Sequence, residues 1–258
     1  MAESQTTVSV EVLPLTHSIE AGESFYVAVI FSMEPDWHTY WQNPGESGMS
    51  TTFTWELPDG LQIISQREPV PNRHEEDGII TFIHEKEAIY LFKIQALKQL
   101  ADTLAISLKV EWLECRELCR PGSAELGFIL TSGVSEQEDS DSWQKLIQRA
   151  EQQFPLPSSE FVKSISLKSN HLKVQLMQKL DRGSKIERVE FFPFNEMIYD
   201  ISTPVAVKSR FGKSSLSIPL LKNRAKDPDQ LKGILVRYLS TSTGPERISS
   251  IINRPIQP

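Results

Sequence analysis

The chain has 258 residues, of which 39% are hydrophobic and 24% are charged, so it can form one large domain or two ordinary ones with packed cores. Its formal net charge of -7 argues against nucleic acid as a partner, because a phosphate-binding face needs an excess of Lys and Arg. The two cysteines are too few for a disulfide-rich scaffold, and no stretch approaches the roughly 18 apolar residues of a membrane-spanning helix.

The N-terminal residues 1–7 lack the charged and then apolar layout of a signal peptide. Two origins are compatible with this layout. The chain is either a cytoplasmic protein or the mature part of an exported protein with an added start Met.

The first half of the chain has the period-two pattern of half-buried strands. Val8, Val10 and Val12 alternate with polar residues, and apolar residues alternate again over 25–31. Further strands are predicted at 51–55, 79–83, 89–95, 104–112 and 124–130. Because helical periodicity is nearly absent before residue 135, this half is predicted to be an antiparallel sandwich.

A short helix is predicted between the two halves. The polar and acidic run from Glu136 to Asp141 is typical of a solvated linker, and Asp141 with Gln144 resembles a helix N-cap with its capping-box partner. Apolar residues at 143, 146, 147 and 150 then form one stripe, which ends before Pro155. We expect this helix to connect two domains, or else to pack on the first sandwich.

The strand pattern resumes after residue 157, with alternating apolar residues at 172–176, 189–194, 205–207, 216–218 and 234–238. The sequence therefore predicts an all-β fold of two antiparallel β-sandwich domains joined by a short helical linker. The expected boundaries are 1–134 for the first domain, 135–157 for the linker and 158–258 for a second, smaller domain.

Cys115 and Cys119 are the residues that point to chemistry. Four residues of extended strand span about 13 Å, so a bond between these cysteines requires a turn. Residues 110–112 read as a strand and Pro121-Gly122 as a turn signal, which predicts a disulfide at the tip of a strand–turn–strand unit. A loop this short stabilises a fold by only about 2 kcal/mol, which favours redox use. A structural disulfide, and free thiols or a metal site, stay open as alternatives.

Two long motifs resemble those of a known family. Residues 37–48, WHTYWQNPGESG, are similar to the GWHTYWxNPGDSG block in the periplasmic N-terminal regions of the DsbD-like and ScsB-like transmembrane reductases. Residues 112–122, WLECRELCRPG, resemble the WLVCKEICIPG segment of the same regions. Shorter stretches at 55–60, 191–193 and 233–236 resemble further blocks, so the resemblance is spread over most of the chain.

The resemblance implies an immunoglobulin-like fold and a disulfide reductase activity in the periplasm, as the soluble part of an inner-membrane protein. The cysteine pair would take electrons from the reductase's own membrane and thioredoxin-like domains. It would pass them to thioredoxin-fold partners such as an isomerase, a ScsC-like protein, a peroxiredoxin or a cytochrome-maturation thioredoxin. Cys119 would form the mixed disulfide and Cys115 would be the resolving thiol, with no metal or organic cofactor. The alternative is a non-enzymatic binding or chaperone-like module with a structural disulfide.

The family also has a cap loop whose aromatic residue covers the disulfide. The segment 68–85 occupies the corresponding place, and Phe82 is the candidate cap residue. Here Phe82-Ile83-His84-Glu85 stands where a Tyr-Gly-Tyr-Glu-like stretch is common, so the chain departs from the family pattern at this point.

Several aromatic and histidine side chains are candidates for the surroundings of the pair. Trp37, Tyr40 and Trp41 could line the active site, or could be core aromatics beside a turn at 43–45. His38 could tune a thiolate, or could be a hydrogen-bonded structural residue. His84 accompanies the candidate cap, and the spacing of His74 and His84 matches no standard metal site.

Overall fold

The computed structural model describes residues 7–133, 140–157, 160–177, 184–194, 198–210 and 213–257. The predicted acidic linker up to residue 139, and residues 1–6 of the N-terminal stretch, lie outside the described residues. Within the described residues, no helix is long and apolar enough to span a bilayer.

The strands of the first half come in chain order. They are β1 (Val8–Pro14), β2 (Ser18–Ile19), β3 (Ser24–Met33), β4 (His38–Gly45), β5 (Thr52–Glu56), β6 (Leu61–Arg67), β7 (Asn72–Glu76), β8 (Ile79–Glu85), β9 (Glu87–Ala96), β10 (Thr103–Cys115) and β11 (Cys119–Ser132). Helix α1 (Ser140–Gln153) follows. The second half contains β12 (Val162–Lys168), β13 (His171–Leu176), β14 (Lys185–Pro193), β15 (Ala206–Arg210), β16 (Lys213–Pro219), β17 (Gln230–Thr241) and β18 (Gly244–Pro255).

The chain divides into two compact units. The first consists of Met1–Pro44, Gly48–Asn72 and Ile83–Phe154, and the second of Gly45–Ser47, Arg73–Phe82 and Pro155–Pro258. The hairpin of β7 and β8 is therefore divided between the units, which a simple split of the sequence near residue 135 does not foresee. The domain boundaries expected above stay a prediction.

The sheets are built almost entirely of antiparallel pairs. One sheet has the order β1-β3-β9-β6, and another has the order β2-β11-β10-β4-β8-β7 with β5 paired to β10. In the second half, β12-β13-β16-β15 form one sheet and β14-β17-β18 form another. The predicted all-β fold class of immunoglobulin-like antiparallel sandwiches is confirmed.

The core of the first unit follows from the strand alternation. Val27, Val29 and Phe31 of β3 point to the same side as Tyr90 and Phe92 of β9, and all five belong to one buried cluster. Because successive side chains of a strand point to opposite faces, the residues between them lie on the other face of the sheet. That face is also buried, as the position of the helix explains.

Helix α1 covers this outer face. Leu146, Ala150 and Phe154 form a buried cluster with residues of β3 and β9, namely Ala28, Ile30, Ile89 and Leu91. The helix thus packs on the first sandwich, one of the two placements that the sequence left open. The predicted N-cap was wrong, since the helix begins at Ser140 and Asp141 lies inside its first turn.

Two predicted turns are also corrected by the structure. Residues 43–45 are the end of strand β4, and Pro121-Gly122 lie inside strand β11. Both stretches carry residues that are typical of turns, but tertiary packing decides their conformation, as shown below for Gly122.

Arg237 is an unusual residue in the core of the second unit. It lies on β17 between Leu235 and Leu239 of the core cluster, is 6% exposed, and stacks on the Phe161 ring at 4.0 Å. Its Nε atom has no hydrogen-bond partner, and no ion pair to Arg237 is found among the described residues. Burial lowers the pKa of its guanidinium. A buried cation without a carboxylate partner destabilises a fold.

We therefore expect Arg237→Met to raise the free energy of unfolding by about 1–3 kcal/mol, because methionine keeps an unbranched apolar side chain at this position and removes the charge. Urea unfolding of the full chain measures this. Arg188→Met is the matched control, since Arg188 stacks on Tyr238 at the same 4.0 Å but is exposed. It should change stability by no more than about 0.5 kcal/mol. A lower stability of Arg237→Met than of the wild type would contradict the prediction.

Candidate functional site

The two cysteines form a disulfide at the end of the β10–β11 hairpin. Cys115 is the last residue of β10 and Cys119 is the first residue of β11, and they are directly paired across the two strands. Their Cα atoms are 4.1 Å apart and their sulfur atoms are bonded. Residues 116–118 make the turn, so the predicted disulfide at the tip of a strand–turn–strand unit is confirmed.

The two cysteines differ in exposure. Cys115 is 2% exposed and packs with Tyr40 and Ile83, whereas Cys119 lies on the exposed side of the hairpin. Next to Cys119, the turn residue Leu118 is 82% exposed. An incoming sulfur atom can therefore reach Cys119 far more easily than Cys115.

Gly122 explains why the chain continues as a strand after Cys119. Gly122 is paired with Trp112, and the indole ring of Trp112 lies over it. A Cβ atom at position 122 would come within 2.2 Å of that ring. Glycine is thus required for close packing against Trp112, which in turn contacts Phe31 of the core edge-on at 5.5 Å.

A buried carboxylate lies beside the disulfide. Glu114 precedes Cys115 and is paired across the hairpin with Arg120, which follows Cys119. Its Oε1 accepts from Arg120 Nε at 2.5 Å and from the Thr7 hydroxyl at 3.0 Å, and its Oε2 accepts from Trp112 Nε1 at 3.1 Å. These hydrogen bonds compensate for the burial of the Glu114 carboxylate, which is almost completely buried. The network also holds the two strands together immediately next to the cysteines.

Trp37 connects the turn to the start of β4. The guanidinium carbon of Arg120 lies 4.9 Å from the Trp37 ring centroid and that of Arg116 lies 5.9 Å from it. Both distances are within the range of cation–π attraction. Trp37 is half-buried, so the base of the turn that carries Cys119 is packed against an aromatic surface.

Tyr40 and His38 lie on the buried side of the disulfide. His38 is paired with Cys115 where β4 meets β10. The Tyr40 hydroxyl donates a hydrogen bond to Cys115 Sγ at 3.2 Å, and His38 Nε2 lies 3.4 Å from the same hydroxyl oxygen. The two rings pack edge-on with centroids 5.3 Å apart. This sulfur–hydroxyl–imidazole arrangement is enclosed by protein.

A glycine makes room for the Tyr40 ring. Gly48 has φ 101° and would place a Cβ atom 2.2 Å from that ring. The motif 37–48 therefore contributes Trp37, His38 and Tyr40 to the surroundings of the disulfide and a glycine that lets one of them approach it.

The remaining candidate residues are all buried. Trp41 is completely buried, and His84 is buried with its ring 5.9 Å from that of Tyr90. Burial lowers the pKa of His84 to about 3, so its imidazole is neutral. Phe82 is buried against Phe192 within the second unit, with ring centroids 5.0 Å apart. Its predicted contact with the disulfide stays a prediction.

His74 is placed for ion pairing, 3.8 Å from Glu76. Within the part of the chain that the structure describes, no group of three or more His, Cys, Asp or Glu residues could hold a metal ion. Sequence reasoning missed Glu114, Thr7 and Gly48 as parts of the site. The sequence did contain a signal for Glu114, because a hairpin that pairs Cys115 with Cys119 also pairs Glu114 with Arg120.

Comparisons with known proteins agree with this site. Residues 7–130 match the family described as "Thiol:disulfide interchange protein DsbD, N-terminal". The chain is similar in structure to the N-terminal periplasmic domain of ScsB from Proteus mirabilis, with 15% identity, a TM-score of 0.62, and coverage of 98% of this chain and 96% of that one. At this identity the likeness supports the fold.

A second solved structure matches about half of the chain. It is the N-terminal domain of DsbD from Neisseria meningitidis in the reduced form, with 15% identity, a TM-score of 0.31, and coverage of 49% of this chain and 87% of that one. No curated protein matches the chain in sequence.

Proposed function

We propose that the chain, whose residues 7–130 match the DsbD N-terminal family, is a periplasmic thiol–disulfide exchange module that works through Cys115 and Cys119. In this role it relays electrons from a membrane reductase domain to thioredoxin-fold partners of the periplasm. The observation that carries the proposal is the unequal exposure of the two bonded cysteines.

The reaction requires two exchange steps. In the reduced chain, the Cys119 thiolate attacks a partner disulfide; a bond forms between Cys119 and one partner sulfur, and the other partner sulfur leaves as a thiolate. The Cys115 thiolate then attacks Cys119 Sγ, forms the disulfide seen here, and releases the second partner sulfur as a thiolate. The partner gains two electrons and this chain loses them.

The surroundings of the pair fit this sequence of steps. Cys119 has the access that attack on another protein requires, and its exposed neighbour Leu118 lies where a partner would be in contact. Cys115 is shielded, which prevents a second partner from competing for it. A disulfide that only stabilised the fold would need no such difference in access.

Partner trapping tests the proposal. The full chain with Cys115→Ser keeps the attacking thiol but cannot resolve the mixed disulfide, so we expect it to accumulate bonded to a periplasmic thioredoxin-fold protein, detectable by non-reducing electrophoresis and mass spectrometry. The Cys115→Ser/Cys119→Ser variant is the control and should capture nothing. Absence of any adduct, together with a reduction potential below about -300 mV, would favour a structural disulfide in a binding module.

A further inference from the structure

A continuous path of hydrogen-bonding atoms leads away from the buried cysteine. Tyr40 Oη lies 3.2 Å from Cys115 Sγ, and His38 Nε2 lies 3.4 Å from Tyr40 Oη. All three residues are less than 9% exposed. We propose that Tyr40 and His38 form a proton relay that deprotonates Cys115 when it resolves a mixed disulfide and reprotonates it when the disulfide is reduced.

A proton relay is needed because the Cys115 thiol is buried. A thiol attacks a disulfide only as a thiolate, and a low-dielectric environment disfavours the charged form. Cys115 is shielded from bulk water, so its proton must pass to a protein group. The Tyr40 hydroxyl is the group that contacts its sulfur.

The inference rests on the proposed function, and the proton balance is as follows. In the disulfide, Tyr40 donates to Cys115 Sγ. In the reduced chain, the Cys115 thiol donates to Tyr40 Oη, and the Tyr40 hydroxyl donates to His38 Nε2. When Cys115 attacks Cys119 Sγ, its proton moves to Tyr40 and the Tyr40 proton moves to His38, which becomes an imidazolium. The partner sulfur departs as a thiolate.

The reverse reaction uses the same atoms. A thiolate attacks Cys119 Sγ, and the S–S bond breaks so that Cys115 becomes a thiolate. That thiolate takes the Tyr40 proton, and the His38 imidazolium gives its Nε2 proton to Tyr40 and becomes neutral. Tyr40 is the catalytic residue because it contacts the reacting sulfur, whereas His38 acts through it as a positioning residue that holds the proton.

The fold holds the relay in place from two sides. His38 and Cys115 are paired across neighbouring strands, which holds the imidazole near the sulfur. Gly48 leaves room for the Tyr40 ring. The positions of His38, Tyr40 and Cys115 are therefore determined by the backbone around them.

The other ionisable groups near β4 have surroundings of their own. Glu68 forms hydrogen bonds with Trp41 and Gln42 of β4, and burial raises its pKa to about 8. On β10, the Glu114 carboxylate accepts from Thr7, Trp112 and Arg120, and Arg116 lies with Arg120 over Trp37. On β8, burial lowers the pKa of His84 to about 3, which makes it too weak a base to take the proton, and Glu85 accepts a hydrogen bond from Asn72. His38 is thus the base on the path from Cys115.

A two-step release of a coloured thiol tests the relay in the full chain. The reduced protein is mixed with an aromatic disulfide whose leaving thiol absorbs visible light. Attack by Cys119 releases the first thiol, and attack by Cys115 on the mixed disulfide releases the second. Stopped-flow measurement across pH separates the two steps.

We expect Tyr40→Phe to slow the second release by about 100-fold, the lower end of the range for general acid–base catalysis, and to leave the first within about twofold. His38→Gln should shift the pH profile of the second release upward by about one pH unit. Thr39→Val is the matched control, because Thr39 lies between these residues and its hydroxyl contacts Met33 instead. It should change neither step.

An unchanged second release in Tyr40→Phe would overturn the relay. So would a slower second release whose pH profile is the same in all variants, since that pattern indicates a structural role. If the wild-type chain shows no second release at all, the proposed exchange function fails instead. Thermal unfolding of each variant confirms that the fold is retained.

Discussion

Replacing Cys119 by serine is expected to abolish disulfide exchange, with a loss of at least about 1,000-fold in the rate of reaction with a protein disulfide. The remaining thiol, Cys115, is 2% exposed, so a folded partner cannot bring a sulfur atom in line with it. The variant is measured by the rate at which the reduced full chain reduces a protein disulfide.

The Cys115→Ser variant provides the contrast. It should react in the first step at nearly the wild-type rate, because its Cys119 thiol keeps the exposed position on β11. Alkylation by iodoacetamide gives an independent measure, since it reports access without a partner. We expect Cys119 in the Cys115→Ser variant to react about 100-fold faster than Cys115 in the Cys119→Ser variant. Equal alkylation rates would show that exposure does not distinguish the two sulfurs.

Much of the fold could be predicted from alternation alone, because most strands have one buried face. Two strands that escaped prediction lack this pattern. Asn72–Glu76 is an edge strand with no large apolar residue, and charged residues are common at sheet edges that avoid aggregation. His38–Gly45 contains Asn-Pro-Gly, which indicates a turn locally, yet the strand continues to Gly45, where φ becomes positive at 89°.

The site was predicted less completely than the fold. The sequence pointed to Cys115 and Cys119, and the family resemblance assigned them different roles, for which their unequal exposure now supplies a physical basis. The acidic and basic residues around them look balanced in the sequence, and no local pattern indicates that Glu114 is buried where it pairs with Arg120. Contact between Tyr40 and Cys115 joins residues 75 positions apart, which no local pattern specifies.

The second large effect is expected from Arg120→Met. Glu114 has a side chain that is 6% exposed, and Arg120 supplies the cation that compensates its charge. Removing one partner of a buried ion pair leaves an uncompensated charge and typically destabilises by about 3–5 kcal/mol. Because the Arg120 side chain is 42% exposed, water can replace part of the interaction, and we expect a loss of about 2–4 kcal/mol in the free energy of unfolding.

Two further variants separate charge from packing. Arg116→Met changes an exposed arginine of the same turn, farther from Trp37 than Arg120 is, and should change stability by less than about 0.5 kcal/mol. Adding Glu114→Gln to Arg120→Met removes the uncompensated carboxylate charge. It should recover at least half of the loss in the free energy of unfolding. Denaturant unfolding of these four chains and of the Glu114→Gln single variant completes the double-mutant cycle and measures the coupling. A loss in Arg120→Met no greater than in Arg116→Met would show that the buried carboxylate does not depend on Arg120.

The same pair connects stability to the proposed chemistry. Glu114 and Arg120 flank the two cysteines on opposite strands, so their ion pair keeps the strand ends together when the disulfide is reduced. Without it, the thiols of the reduced chain are expected to separate more often. Cys115 would then reach Cys119 more rarely, and resolution of a mixed disulfide would slow in Arg120→Met even under conditions where the chain stays folded. Arg116→Met should resolve it at the wild-type rate, so comparing the two variants shows whether this ion pair serves the exchange reaction as well as the fold.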